Sequence, residues 1–160
     1  MKGQSLPAEH HVIRYVPYSK LDKDADDNPV GILFSAFQRK PGEEGLSVTW
    51  MEYFAGSRED QVVGAVQAIR ASNIKPGGKS GFAIGNVGAV KAACADRKHK
   101  IRIIHWPEDD NKAHAELRQF PTEDRQLLDR LAAEVWAELV LNASIAKGEK
   151  AAPEQAAIEI

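Results

Sequence analysis

The chain contains a single cysteine, Cys94, among its 160 residues. One cysteine cannot form an intramolecular disulfide, and it excludes a zinc site built on several thiolates. Residues 1–9 lack the apolar segment of a secretory signal peptide, and no apolar run approaches the roughly 18 residues of a membrane helix. These absences predict a reduced, cytoplasmic protein outside the membrane, of a size compatible with a bacterial source.

An excess of charge of one sign is also lacking. The chain has 21 lysines and arginines against 23 aspartates and glutamates, which gives a net charge of -2. That balance argues against a general binder of nucleic acid or of an anionic membrane. With 43% hydrophobic residues, the chain can bury a core that needs no disulfide or metal for stability.

Recognisable motifs for metal and phosphate are incomplete. Asp22, Asp24 and Asp26 match the first, third and fifth positions of an EF-hand loop, but Leu33 stands where the bidentate glutamate belongs. Residues 77–80, Gly-Gly-Lys-Ser, resemble the end of a P-loop, but the earlier glycine is absent and a strand-like run follows. No two of the five histidines show the spacing of a helical zinc motif. We predict no metal site and no cofactor.

The fold prediction is organised around residues 79–107. Residues 81–84 are a short apolar run, 87–98 carry apolar residues at helical spacing, and 101–106 are rich in β-branched residues. A helix of about a dozen residues between two strands is near the minimum length for a parallel crossover. The pattern therefore predicts a βαβ unit.

Further strands and helices are predicted on either side of this unit. Alternating or β-branched residues predict two earlier strands, over residues 11–16 and 46–50. Apolar residues at helical spacing predict a helix over 57–71, which Ser57 and Asp60 start with a capping box, and a long final helix over 122–141, which Thr122 caps. We predict a single α+β domain over residues 1–142, with a small mixed sheet of four to five strands and two to three packed helices. Residues 143–160 are predicted to be a flexible C-terminal tail. A doubly wound parallel sheet is the alternative, disfavoured because no crossover helix separates the first two strands.

The residues best suited to chemistry are Arg14, Ser47 and His114. Arg14 is a cation between two valines of the first strand, and His114, a residue type suited to acid–base catalysis, is predicted to lie in a polar loop after a strand. If the protein is an enzyme, Arg14 and His114 should line one pocket with their side-chain heads within about 10 Å. If it is a binding module, as we expect slightly more often, the two side chains should lie on opposite sides of the sheet. The order Arg14, Ser47 and a downstream acid such as Glu116 resembles the arginine–serine–glutamate order with which some ADP-ribosyltransferases hold NAD. That resemblance implies an enzyme acting on a nucleotide-like or phosphorylated ligand.

Two surfaces are candidates for binding. A basic cluster could hold an anion or could simply be a solvated edge, and it comprises Arg97, Lys98, Lys100 and Arg102. An aromatic set exceeds what short strands need for packing, and it comprises Trp50, Tyr53, Phe54 and Trp106. Because no catalytic motif is complete, the leading expectation is a binding or accessory module whose aromatic surface meets another protein. The enzyme remains the alternative.

Overall fold

Eight strands and three α-helices make up the computed structural model, which describes residues 2–40 and 42–146. The strands are β1 His11–Val16, β2 Leu21–Lys23, β3 Pro29–Ile32, β4 Gly45–Trp50, β5 Gly81–Asn86, β6 Arg102–His105, β7 His114–Arg118 and β8 Glu138–Leu141. Six of them form one sheet in the order β6-β7-β4-β1-β5-β8, and β2 and β3 form a separate pair. Every strand pair is antiparallel. The N-terminal strand β1 is therefore one of the two central strands of the large sheet.

Helices cover both faces of this sheet. The helices are α1 Arg58–Ala71, α2 Val87–Asp96 and α3 Arg125–Arg130, and a π-helical turn, Leu131–Val135, continues α3. One face packs against α1 through a core that includes Ile13, Val66, Ile69 and Phe82. The other face packs against α2, α3 and the short 3₁₀ turn Phe34–Phe37, in a larger core that includes Val12, Val90, Leu128 and Trp136. None of the helices in the described part of the chain is both long and apolar enough to cross a bilayer.

The α+β prediction is confirmed, but the sheet is larger than predicted and is antiparallel instead of mixed. The start of α1 was also predicted correctly. The Ser57 hydroxyl accepts from the Asp60 amide at 3.2 Å, and the Asp60 carboxylate accepts from the Ser57 amide at 3.0 Å. This reciprocal pair satisfies two amides that the first helical turn cannot pair internally.

The two strands and the helix of the predicted βαβ unit are present, but the two strands are not neighbours in the sheet. β5 pairs with β1 and β8, whereas β6 pairs with β7 and forms an isolated bridge between Ile104 and Ser5. β7, β4 and β1 therefore separate the two strands that α2 connects. Each strand found an antiparallel partner elsewhere in the chain, and local spacing contains no information about those distant partners.

The long final helix predicted over residues 122–141 is wrong at both ends. Asp124, not Thr122, is the N-cap, and its carboxylate accepts from the Leu127 amide at 3.3 Å. The helix ends at Val135, and Glu138–Leu141 instead form β8 at the edge of the sheet. The backbone of β8 pairs with that of β5. The sequence pattern could not predict this pairing, because the apolar residues of this segment are also at helical spacing.

Trp136 marks the point where the helix gives way to the strand. Its side chain is fully buried and lies 5.4 Å, ring to ring, from Phe37. A Cβ at Gly85 would lie 2.8 Å from Cδ2 of the indole, so only glycine admits the ring at this place on β5. The close contact fixes the chain against the sheet just before β8.

The predicted tail begins with residues that contact the domain. The Arg70 guanidinium donates to the backbone carbonyls of Asn142, Ile145 and Ala146 at 3.1, 3.0 and 2.8 Å. The rest of the predicted tail, residues 147–160, lies outside the described residues.

Candidate functional site

The central strands β1 and β4 pair over a short stretch only. Their register consists of Val12 opposite Trp50 and Ile13 opposite Thr49, and it stops there. At the next residue, Arg14 donates from Nη1 to the Ser47 carbonyl and from Nε to the Ala36 carbonyl, both at 2.6 Å. The guanidinium thus connects the two strands where their own ladder ends.

A cavity of about 550 Å³ lies where β1 and β4 separate, and residues from both sides of the sheet line it. We call it the split-sheet cavity. Its lining includes the three residues predicted as catalytic, Arg14, Ser47 and His114, together with Lys20, Lys40, Glu43, Thr49, Glu108 and Asn111. Its volume falls within the usual range for small-molecule sites.

His114 is held in one orientation at this cavity. Its side chain is 8% exposed, and Nδ1 lies 2.8 Å from the Trp106 carbonyl oxygen. Because a carbonyl only accepts hydrogen bonds, Nδ1 carries the proton of the neutral ring. Nε2 therefore presents a lone pair, and it lies 3.1 Å from the Ser47 hydroxyl oxygen. The neutral imidazole is placed to accept the proton of that hydroxyl.

The structure brings Arg14 and His114 together through Ser47. Arg14 contacts the carbonyl of this serine and His114 its hydroxyl. The two hydrogen bonds end on oxygens of the same residue, so the Arg14 guanidinium and the His114 imidazole lie within about 10 Å of each other. Strand alternation directs Arg14 and His114 to opposite faces, because Ile13 and His114 both oppose Thr49. They reach one cavity because β1 and β4 separate between them.

Cations converge near Arg14. Burial lowers the pKa of the Arg14 guanidinium to about 10, although the Glu43 carboxylate opposes this shift. Burial also lowers the pKa of Lys20, with further contributions from the positive charges of Arg14 and Lys40. Three cations and one carboxylate therefore share this side of the cavity, which leaves an excess of positive charge for an anionic ligand.

The carboxylates of Glu108 and Asp110 also line the cavity, and that of Glu116 lies beside His114 outside this lining. Oε1 of Glu108 is 3.8 Å from Nε2 of His114, and Oε1 of Glu116 accepts from Nε of Arg118 at 2.6 Å. One ligand atom from each of Glu108, His114 and Glu116 lies within 4.8 Å of the others. This grouping could hold a metal ion, so the sequence-based prediction of no metal site missed a candidate.

The signal for this group is alternation along paired strands. His114, Glu116 and Arg118 are every second residue of β7, and Ser47 of β4 stands directly opposite Glu116. Glu108 comes from the exposed turn before β7, where nothing in its sequence context distinguishes it from neighbouring acids.

The predicted basic cluster is divided by the structure. Arg97 Nε and His99 Nε2 contact the Asp124 carboxylate at 2.7 and 2.9 Å, so Arg97 already has an anionic partner. Lys98 and Lys100 line a second cavity of about 550 Å³, and Arg102 is exposed on β6 outside that lining. Anion binding by these four residues stays a prediction, and only two of them share a cavity.

Replacing Asp124 with alanine should destabilise the fold by about 0.5–2 kcal/mol, because it removes the N-cap of α3. The Arg97 contact, followed by His99 and the Leu127 amide, lowers the pKa of this carboxyl from 3.8 to about 2. A carboxyl whose pKa is lower in the folded state contributes stability above pH 4 that is lost as the pH falls towards 2. Urea unfolding of both proteins between pH 7 and pH 2 measures this.

Asp129→Ala, which removes an exposed partner of Arg125, is the matched control and should change stability little. An Asp124→Ala deficit that stays constant down to pH 2 would contradict the assigned ion pairs.

The predicted aromatic surface is only partly contiguous. The Trp50 and Tyr53 ring centroids are 6.2 Å apart and those of Tyr53 and Phe54 5.4 Å apart, and Tyr53 is 45% exposed. The Trp106 ring instead contacts the Lys2 and Arg118 cations. Three of the four residues thus form one cluster, whose role in protein binding stays a prediction.

Comparison of the chain with models of protein families, with curated proteins and with solved structures found no match. The resemblance to the ADP-ribosyltransferase order stays at the level of residues. Ser47 and Glu116 are opposite each other on adjacent strands, but Arg14 reaches Ser47 through the backbone carbonyl.

Proposed function

We propose that this protein is an enzyme that acts on a small phosphorylated ligand in the split-sheet cavity. One observation carries the proposal: a single cavity contains both converging cations and a histidine hydrogen-bonded to a serine hydroxyl. The first group suits a phosphate and the second suits proton transfer at a reacting centre.

The phosphate would be held by Arg14, Lys20 and Lys40. Two of the five N–H groups of Arg14 donate to backbone carbonyls, so the orientation of the guanidinium is fixed before a ligand arrives. Lys20 and Arg14 also repel each other, and an anion between them would relieve that repulsion. Phosphate oxygens would therefore form charge-assisted hydrogen bonds with a preorganised set of donors.

The reaction would use Ser47 and His114. As the Ser47 oxygen attacks phosphorus, its proton passes to Nε2 of His114 and the bond from phosphorus to the leaving oxygen breaks. The imidazolium then returns the proton to that leaving oxygen. Water, deprotonated by the same histidine, would then attack phosphorus as the bond from phosphorus to the Ser47 oxygen breaks, and the imidazolium would return the proton to that oxygen as phosphate leaves. The Trp106 carbonyl keeps the imidazole in the tautomer that these reaction steps need.

Calorimetric titration with AMP, NAD and adenosine tests the binding step. AMP and NAD should bind more tightly than adenosine, which lacks a phosphate, by at least about tenfold. Lys20→Met should remove most of that difference. Lys91→Met, which removes a lysine from the second cavity, is the matched control and should leave binding unchanged. Equal affinity for AMP and adenosine would overturn the proposal.

Phosphorus NMR of AMP and NAD incubated with the protein tests the chemical step. His114→Gln should slow any turnover by about 10²–10⁴-fold, the usual contribution of a general acid–base group. His11→Gln removes a histidine paired with Glu52 outside the cavity and should leave turnover unchanged. Turnover that survives in His114→Gln would remove this residue from the mechanism.

A binding module remains the second candidate because Trp50, Tyr53 and Phe54 form a partly exposed cluster. Aromatic residues are frequent anchors of protein interfaces. If this surface binds a protein, a stoichiometric partner should copurify with the natural chain and be lost with Tyr53→Ser. A partner retained equally by both proteins would exclude the cluster as its binding surface.

A further inference from the structure

We propose that Glu108, His114 and Glu116 form a binding site for a divalent transition-metal ion such as Zn²⁺. The inference rests on the cavity of the proposed function and changes the part that His114 plays there, because a bound ion would make this residue a ligand instead of a general base. One nitrogen and two carboxylate oxygens are a ligand set that such ions accept.

The geometry of the three ligand atoms is close to that of a metal site. They lie within 4.8 Å of one another, and Nε2 of His114 is 3.8 Å from Oε1 of Glu108. Ligand atoms at the usual 2.0–2.2 Å from tetrahedral zinc are roughly 3.4 Å apart. Glu108 is half exposed and can make the remaining movement, whereas His114 and Glu116 are largely buried and form a fixed pair.

The imidazole is already oriented as metal-bound histidines are. Its Nδ1–H donates to the Trp106 carbonyl at 2.8 Å, so the lone pair is on Nε2, which lies 3.1 Å from the Ser47 hydroxyl oxygen and 3.8 Å from Oε1 of Glu108. A backbone carbonyl in this position is a common outer-shell partner of a ligating histidine. This contact is independent of the two acids, and it prepares the nitrogen to bind a cation.

The remaining contacts of the site fit the same interpretation. Arg118 donates to one oxygen of Glu116, which fixes the carboxylate and leaves its second oxygen for the ion. The Ser47 hydroxyl, 3.1 Å from Nε2, would lose its hydrogen-bond acceptor when a metal binds, and it can turn its oxygen to the ion as a fourth ligand. A phosphate held by Arg14 would then have the cation on one side and the guanidinium on the other.

Titration of the untagged, chelator-treated full chain with Zn²⁺ and Co²⁺ tests the site. We expect one ion to bind per chain, and bound Co²⁺ to give a visible absorption spectrum typical of a site with a nitrogen ligand. Mg²⁺ should bind much more weakly, because it prefers oxygen ligands. His114→Gln and Glu116→Gln should each weaken Zn²⁺ binding by at least about tenfold, because even outer-shell changes cost 10–100-fold. Glu108→Gln should also weaken it, and this exposed side chain can be changed without disturbing the fold.

Two control variants separate this site from other surface groups. Glu44→Gln removes an exposed acid near Arg118, and His11→Gln breaks a histidine–carboxylate pair that has no third ligand within residues 2–40 and 42–146. Neither should change the Zn²⁺ affinity. Stoichiometric binding that is unchanged in Glu108→Gln and Glu116→Gln, or an absence of Zn²⁺ binding to the natural chain, would overturn the proposal.

The outcome is distinguishable from failure of the proposed function. AMP binding in the presence of chelator depends on Lys20 and needs no metal. If AMP binds and Zn²⁺ does not, only the metal site is wrong. If Zn²⁺ binds and AMP does not, the metal site stands and the phosphorylated ligand is wrong.

Discussion

Replacing Trp136 with alanine should destabilise the protein by about 3–5 kcal/mol, which is a large part of the stability of a domain of this size. The indole is fully buried and packs between Phe37 and the bare backbone of Gly85. Its removal leaves a cavity where three parts of the fold meet: the sheet, the end of the last helix and the 3₁₀ turn. Because β8 follows this contact directly, we also expect the edge strand to loosen.

Urea unfolding measures the loss of stability, and amide hydrogen exchange measures the loosening of β8. Trp106→Ala is the matched control, since its ring is partly exposed and lies against the Lys2 and Arg118 cations. Trp106→Ala should lower the free energy of unfolding much less than Trp136→Ala does. A Trp136→Ala loss below about 1 kcal/mol would show that the surrounding chain collapses into the space.

Replacing Arg14 with methionine should cost about 2–4 kcal/mol and also abolish the preference for phosphorylated ligands. The carbonyls of Ala36 and Ser47 each lose a charged donor at 2.6 Å, and an unpaired buried carbonyl costs about 1–3 kcal/mol. Methionine fills a similar volume, so the effect reports mainly on the lost hydrogen bonds and charge.

Urea unfolding and AMP titration of the same variant measure the two effects. Arg102→Met removes an exposed arginine of β6 and should leave both unchanged. Arg14→Lys keeps the charge but cannot reproduce two donors in the fixed geometry of a guanidinium, so it should recover part of the ligand binding and little of the stability. A stable Arg14→Met protein that still prefers AMP to adenosine would contradict both the structural role and the ligand role of Arg14.

Local elements were predictable where local chemistry determines them. The capping box at Ser57 and the β-branched strand 11–16 need no distant partner, and both appear as predicted. The sheet order and β8 depend on pairing between segments far apart in the chain, which periodicity does not encode. Leu139 illustrates the limit, because it continues the helical stripe of Leu131 and Val135 yet lies on a strand opposite Ala83.

Three residues that line the candidate cavity were named from the sequence, whereas Lys20, Lys40 and Glu108 were not. Arg14, Ser47 and His114 could be chosen because their side chains suit anion binding and proton transfer. The strand alternation of Arg14 alone would have separated it from His114, and only the early end of the β1–β4 ladder reunites them. Glu108 could not be chosen at all, since its position depends on how the turn before β7 closes.

The central place of β1 has a consequence for the order of events during folding. Val16 of this strand pairs with Gly81 and Val12 with Trp50, so neither neighbour exists when β1 leaves the ribosome. Sheets built from such distant pairings lose chain entropy before they gain contacts, and they fold in milliseconds to seconds. β1 must therefore wait for the synthesis of residues up to Trp50 before its first neighbour exists, and up to Asn86 before its second. During that wait its apolar face is exposed, and nascent chains are most open to aggregation or to the help of a chaperone.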